Sequence, residues 1–439
     1  MDEHLSPDYV KSLETKFRSD AKNLVAMNAV TSQGYQAVGL DRSFVTEAHH
    51  TFSHQIRTPK ATNQKQTGRC WAFAGLNLLR LDALKSLNVE EFELSQNFMM
   101  FYDKLEKSNY FLSSIADTVD EPVDSRLSTW LLENPISDAG QWNMLVSLID
   151  RYGVVPKSVM PETWSSSNSS SMNGVLAERL RHGAARIRQA RERIDAIRAE
   201  VLEEIYRILA IHLGLPPQEF LWEWRDRNGE FHRDGLITPR EFYSKHVGRD
   251  LDEYVCVIHA PTSDKPFGKC YTVDYLQNMV DGRIIRYVNL ELEEMKKAAV
   301  DSVVAGEPVW FGSDTGKMFE REKGILAPEA FTYDIVFGYE DGLDKGGRLD
   351  FRHGRVTHAM IITGVDLDDS GKPLRWRVEN SGGDEMGDKG SLVMSDRWFD
   401  EYVYQITVAS RFLAPASAAL ADEEPVRLPP WDPIGALAL

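Results

Sequence analysis

The sequence predicts an α+β protein. Helical periodicity fills the first half of the chain, strand-like segments dominate from about Val255, and turn residues separate those segments as in an antiparallel sheet or barrel. The 439 residues correspond to two or three structural units, or to one domain with a large insertion. A hydrophobic content of 42% with 27% charged residues is enough to bury a core and excludes wholesale disorder.

The elements follow in order. Ser6, Pro7 and Asp8 form a helix start, and Val10, Leu13 and Phe17 space an apolar stripe at helical period. Residues 48–68 read as loop and extended pieces ending in the polar turn NQKQTG. From Cys70 to Leu87, Phe73, Leu76, Leu79, Ala83 and Leu87 recur at three- and four-residue steps, with Leu81 and Leu84 widening the face. Further helices are expected at 94–110 and 141–152. The Ser/Asn-rich stretch 163–174 reads as a loop. A long charged helix is expected over 175–213, with Leu180, Ile187, Ile194, Ile197, Val201, Ile205 and Leu209 on one face. That face suits packing on its own domain or on another subunit. The strand segments are YVCVIHA, RIIRYVNL, PVWFGS, THAMIITGVD, RWRVENS and YVYQITVA. The last residues, 414–439, are rich in Pro and Ala, lack periodicity, and read as an extended arm.

Composition excludes several function classes. Fifty Lys and Arg against 67 Asp and Glu give a formal net charge of −17, the wrong sign for a broad nucleic-acid surface. Three cysteines, Cys70, Cys256 and Cys270, are too few for a disulfide framework, and no CxxC pair suggests structural zinc. The N-terminal residues are charged rather than signal-like, and no run approaches the ~20 apolar residues of a membrane helix. A soluble, cytoplasmic protein is expected.

The chemistry concentrates around Cys70. A cysteine at a helix N-terminus has its thiolate stabilised by the helix dipole and free backbone N–H groups. Gly68 permits close backbone approach, and Gln64, six residues before the cysteine, can donate its side-chain amide to a developing oxyanion. His358 stands at the head of one strand and Asn380 at the end of the next, so in a hairpin the Asn carbonyl can orient the imidazole. Taken singly, a Cys before Trp and Phe fits core packing, and a strand histidine fits a structural one. The ordered conjunction of all four points to a nucleophile.

Those residues carry a resemblance. The chain resembles the papain superfamily in its Q-x5-C-W-x-F pattern, strand His and Asn-Ser motif. More narrowly, it is similar to the bleomycin hydrolase and aminopeptidase C family of papain-like cysteine peptidases. The matching segments are TNQKQTGRCWAF, ELSQNFMMFYDKLEKSNYFL, DAGQWNMLVSLIDRYGVVPK, PVWFGSDTGK, THAMIITGV, WRVENS, RWFDEYVYQITV and WDPIGALAL. The resemblance implies Cys70 as nucleophile, His358 as general acid and base, Asn380 as its orienter and Gln64 as oxyanion donor. It implies a papain-like fold, with a helical subdomain, an antiparallel β-barrel subdomain, a helical insertion and an extended C-terminal arm.

The expected division is 1–164 with the nucleophile, 165–290 as the insertion, 291–413 with His and Asn, and 414–439 as the arm. Papain-type enzymes place the His ~130–150 residues after the Cys; here His358 lies 288 residues after Cys70, and the insertion accounts for much of the excess. The resemblance further implies peptide substrates, a hexameric cage with internal active sites, and no cofactor or metal. It implies that the C-terminus gates the substrate's N-terminus through Ala438 and Leu439, Leu439 being a candidate for self-trimming. One position departs: the Asn-Ser motif continues with Gly382 where the superfamily has Trp, leaving the Asn–His bond either exposed or shielded by another side chain. That departure keeps a rival reading open, an impaired cage that binds peptides or nucleic acid.

Other candidates are weaker. Asp366, Asp368 and Gly371 begin like a calcium loop, but Arg377 occupies the position that requires a bidentate Glu, so a hairpin turn is expected. Glu47, His49, His50 and His54 lack metal-ligand spacing and read as a polar loop. Cys256 and Cys270 read as buried and inert, and Glu423–Glu424 as a solvated run.

Overall fold

The computed structural model describes residues 4–339 and 342–438. Ser6 caps the first helix, Pro7–Arg18, its hydroxyl accepting the Tyr9 N–H at 3.1 Å. The Val10, Leu13 and Phe17 stripe of that helix faces outward, with each residue at least 40% exposed.

The helical half is organised on Cys70–Leu87, which is buried on almost every side. It ends as Asn88 adopts the left-handed conformation, φ +52°, which Asn tolerates better than most residues. The helices Gln96–Asp117 and Trp142–Tyr152 pack against it.

Two expectations are corrected here. The 163–174 segment is largely helical rather than loop: Thr163 and Ser166 form a reciprocal capping box over Trp164–Ser167, and Ser170 opens the helix Ser170–Gln189. The Thr163 and Ser166 hydroxyls are satisfied at the first start, while the Ser169 hydroxyl, just before the second, donates to Asp138. The single helix expected over 175–213 is two, Ser170–Gln189 and Ile194–Leu213, joined by a turn at Arg191–Arg193. One continuous helix of about 40 residues would run ~60 Å, too far for both halves to reach one core. Folded back, they bury Leu180, Ile187, Ile197, Val201, Ile205 and Leu209 on each other and on Gln96–Asp117.

The strands run in chain order as β1 (His54–Gln55), β2 (Phe220–Arg225), β3 (Phe231–Ile237), β4 (Tyr254–Ile258), β5 (Lys269–Val273), β6 (Tyr287–Asn289) and β7 (Val309–Ser313). They continue as β8 (Phe319–Glu320), β9 (Ile325–Leu326), β10 (His358–Leu367), β11 (Pro373–Glu379), β12 (Ser391–Ser395), β13 (Val403–Ala409) and β14 (Val426–Leu428). β2 and β3 form a separate hairpin. Among the described residues the other twelve form one sheet in the order β14-β5-β6-β4-β13-β7-β10-β11-β12-β9-β8, with β1 added to β10.

The sheet is mixed rather than purely antiparallel: β4 pairs parallel with β6, β9 with β12, and β5 with β14. Each of these pairs is separated by intervening elements long enough for the crossover that parallel pairing requires. β4, β5 and β6 lie within the expected 165–290 insertion, so that segment is helical only in its first part and then feeds the large sheet. The 414–439 tail also carries local structure, a helical turn at Pro415–Ala419, strand β14 and a tight turn at Pro433–Ala438.

The two halves meet where the Cys70–Leu87 helix packs on β10. Arg80 from that helix and Glu379 at the end of β11, each 2% exposed, form an ion pair at 2.6 Å across the junction. Among the described residues, no helix is long and apolar enough to cross a membrane.

Candidate active site

Cys70 begins its helix and is buried, 5% exposed. Its Sγ accepts the Ala359 N–H from β10 at 3.4 Å. Burial alone would push the thiol pKa up. The facing His358 outweighs it, helped by the Ala359 and Trp71 backbone N–H groups, and holds the thiol below its ordinary value. The effect is mutual: burial favours neutral His358, but Cys70 and the bond to Asn380 raise the imidazole above its ordinary pKa. Both shifts run toward the thiolate–imidazolium pair.

His358 heads β10 and Asn380 directly follows β11, its hairpin partner, so the register brings them together. His358 Nε2 is 2.8 Å from Asn380 Oδ1. As that oxygen only accepts, Nε2 carries the proton and Nδ1 is left for the sulfur. The bond is intact although Gly382 replaces the usual Trp. Asn380 is 7% exposed, and its Nδ2 points at the sulfur of Met386, 3.8 Å away.

Gln64 is held by the same segment. Residues 62–64 pair antiparallel with 381–383 through Gln64 N–H to Ser381 O at 2.9 Å and Gly383 N–H to Thr62 O at 2.9 Å. Ser381 Oγ donates to Gln64 Oε1 at 2.5 Å, and Gln64 Nε2 donates to Thr67 O at 2.6 Å. Fixed by both ends, the amide keeps its second N–H uncommitted among the described residues. The structure thus brings Cys70, His358, Asn380 and Gln64 into one site.

Several supporting residues had no sequence signal. Asp138 accepts the Gly68 N–H at 3.0 Å, and its backbone oxygen accepts Trp71 Nε1–H at 2.7 Å, so it grips the nucleophile turn from both sides. A Cβ at position 68 would lie 3.1 Å from Asp138 Cβ, which makes Gly68 a packing requirement as well. Burial would raise the Asp138 carboxyl, but Lys104 Nζ at 2.6 Å, with Ser169 and Asn173, holds it well below the carboxylate range. Arg69, also buried, forks onto Glu162 at 3.1 and 2.8 Å. These partners are 67 to 93 residues away in sequence, and only the fold discloses them.

The C-terminal residues reach the same loop. Gly140 N–H donates to Leu437 O at 3.1 Å, and Ser137 Oγ to Ala438 O at 3.4 Å. Ahead of them Arg126 stacks 3.7 Å from the Trp431 ring centroid, and buried Lys265 pairs with Asp432 at 3.1 Å. Leu439 lies outside the described residues.

The remaining candidates fall elsewhere. Asp368 accepts the Ser370 and Lys372 N–H groups in a hairpin turn between β10 and β11, with Gly371 at φ +83°. Cys256 and Cys270 are buried; burial pushes the Cys256 thiol up to about 12 and also raises that of Cys270. Asp226, Glu230 and His232 hold ligand-type atoms within 4.8 Å of one another, but Asp226 is occupied by Asn88 and by the 228 and 230 N–H groups.

Comparison with known proteins adds to this geometry. The chain is 43% identical over 442 residues to Aminopeptidase C of Listeria innocua serovar 6a, with all of both chains covered. It is 39% identical over 449 residues to Bleomycin hydrolase of Homo sapiens, covering 99% of each. The crystal structure of pepw from Lactobacillus rhamnosis HN001 superposes with a TM-score of 0.97 at 41% identity, over 99% of this chain and 100% of that one. A sequence profile of the peptidase C1-like family matches residues 4–435. With a helix-borne cysteine and a strand-borne His–Asn pair meeting in one site, the chain belongs to the peptidase C1-like family.

Proposed function

We propose that the protein is a cysteine aminopeptidase, similar to aminopeptidase C and bleomycin hydrolase, acting on peptides in the cytoplasm. The observation that carries the reading is the His358–Asn380 bond set against a buried thiol whose pKa is lowered by that same histidine. The Cys70 thiolate attacks the carbonyl of the N-terminal residue. Charge on the carbonyl oxygen is met by the Cys70 backbone N–H and the free N–H of Gln64 Nε2. His358 gives its proton to the leaving amine as the C–N bond breaks, leaving a thioester on Cys70. Water then loses a proton to His358, attacks the thioester and releases the amino acid. No step calls for a metal or cofactor.

Exopeptidase specificity is assigned to the tail. The bonds from Gly140 and Ser137 to residues 437 and 438 support an arm lying along the loop that also grips the nucleophile turn. Its terminal carboxylate, at Leu439 or at Ala438 after trimming, then blocks longer chains and pairs with the substrate's α-ammonium, a charge-assisted contact of ~1.5–3 kcal/mol. The papain-like division into a helical subdomain and a β-barrel subdomain, with the cleft between them, is part of the same reading. So is assembly into a hexamer, which the outward-facing stripe of Pro7–Arg18 supports. The impaired-cage reading is disfavoured by the intact His358–Asn380 bond, and nucleic acid by the net charge of −17.

Deleting residues 434–439 tests the gate. The truncated enzyme is expected to cleave N-acetylated peptides internally, whereas the full chain does not. A truncated enzyme that still demands a free N-terminus contradicts the assignment.

A further inference from the structure

We infer that Met386 is the side chain that shields the His358–Asn380 bond in this chain, acting as a positioning residue for His358. The inference rests on the reading of Asn380 as the orienter of the catalytic histidine. Gly382 is exposed and offers no side chain, yet Asn380 two residues earlier is buried, so something else covers it. Met386 Sδ lies 3.8 Å from Asn380 Nδ2 and accepts from it, while Asn380 Oδ1 holds His358 Nε2 at 2.8 Å.

Position 382 and Met386 address the same face of Asn380. A Cβ built on Gly382 would stand 3.3 Å from Asn380 Nδ2 and 3.8 Å from Met386 Cε. A side chain entering from 382 would therefore contend with the methionine for one space. Gly382 φ is not in the left-handed region, so its backbone tolerates a side chain, and the constraint is this shared volume.

The loop that delivers Met386 is tightly closed. Met386 O accepts the Gly390 N–H at 2.9 Å, and Gly390 O accepts the Asn380 N–H at 3.3 Å. Gly387 sits at φ +59°, where a Cβ would come within 2.3 Å of Ser391 O, so no side chain is accommodated there. Met386 also packs against the apolar core of the large sheet. A thioether is well matched to this position, being bulky, polarisable and only a weak acceptor, so it occupies Nδ2 without competing for Oδ1. Keeping water from the amide strengthens its bond to the imidazole and fixes the ring toward Cys70.

The experiment compares kcat and KM on an aminoacyl fluorogenic amide for the full-length enzyme and four variants, each checked for an unchanged thermal transition. Met386→Ala is expected to lower kcat about tenfold with KM nearly unchanged, the scale of one weakened hydrogen bond. Met386→Leu, which keeps the bulk, is expected to retain most of the activity. Gly382→Trp alone should give no gain, because Met386 already fills the space. Gly382→Trp combined with Met386→Ala should recover most of the lost kcat, a compensation that a merely structural role does not produce. Wild-type kcat in Met386→Ala, or a double variant no faster than Met386→Ala, overturns the inference. Cys70→Ala run alongside separates the two levels: if it stays active, the catalytic reading itself has failed.

Discussion

Ser381 and Gln64 hold each other from both sides. The serine hydroxyl donates to Gln64 Oε1 at 2.5 Å while the Gln64 backbone N–H donates to the Ser381 carbonyl at 2.9 Å. Ser381 directly follows Asn380, so the segment that orients the imidazole also aims the amide expected to meet the oxyanion. Acid–base and oxyanion groups are thus set by one short stretch of chain.

Ser381→Ala removes the hydroxyl and frees the amide to rotate. A lost hydrogen bond of ~1 kcal/mol corresponds to a kcat lowered roughly five- to tenfold. The Cys70 alkylation rate should be almost unchanged, because the contacts between Cys70 and His358 are untouched. Steady-state kinetics beside iodoacetamide labelling checks this, and equal losses in both would show that the serine acts on the pair instead.

Labelling should also discriminate among the cysteines. His358 and two backbone N–H groups favour the Cys70 thiolate, whereas burial pushes Cys256 to about 12 and raises Cys270. Peptide mapping after brief treatment with iodoacetamide at neutral pH should find Cys70 modified well before the other two.

The pH profile follows from the paired shifts. Cys70 lies below its ordinary value of 9.0, so the thiolate persists to lower pH; His358 lies above its ordinary 6.5, so the imidazolium persists to higher pH. Activity needs both, and kcat/KM should be bell-shaped, with limbs belonging to the coupled pair. Asn380→Ala removes a contact that raises His358, and the alkaline limb should move to lower pH.

Much of this site was legible in the sequence because its signals are local. The Cys70–Leu87 helix matches its expected span, since apolar residues recur at helical steps beyond the turn residues before Cys70. His358 and Asn380 fall at strand ends because turn residues bracket their strands. Other features had no local signature. The reversal at Arg191–Arg193 interrupts a run that has no Gly or Pro after Gly183, and it exists because both halves must reach Gln96–Asp117. Asp138 and Met386 matter through the groups they meet. The parallel strands β9 and β14 are short pieces defined by their neighbours, β14 at one edge of the sheet and β9 between β12 and β8.

Arg80 and Glu379 should dominate the coupling between the helical half and the sheet. Both are 2% exposed, and Arg80 Nη1 also donates to Lys60 O at 3.1 Å. Arg80→Met leaves Glu379 buried without its partner and should cost ~3–5 kcal/mol of unfolding free energy in a denaturant titration. Adding Glu379→Gln to Arg80→Met should recover part of that loss, because the stranded charge is gone.

The central claim is that Cys70 carries the hydrolysis of N-terminal residues, and hydrolysis of an aminoacyl fluorogenic amide by wild-type and Cys70→Ala enzyme tests it most directly. The account predicts rapid cleavage by the wild type, none of the same amide once its α-amine is acetylated, and at least a thousandfold loss in Cys70→Ala, the scale of removing a covalent nucleophile. A Cys70→Ala enzyme that still turns over the free amide near the wild-type rate would contradict it.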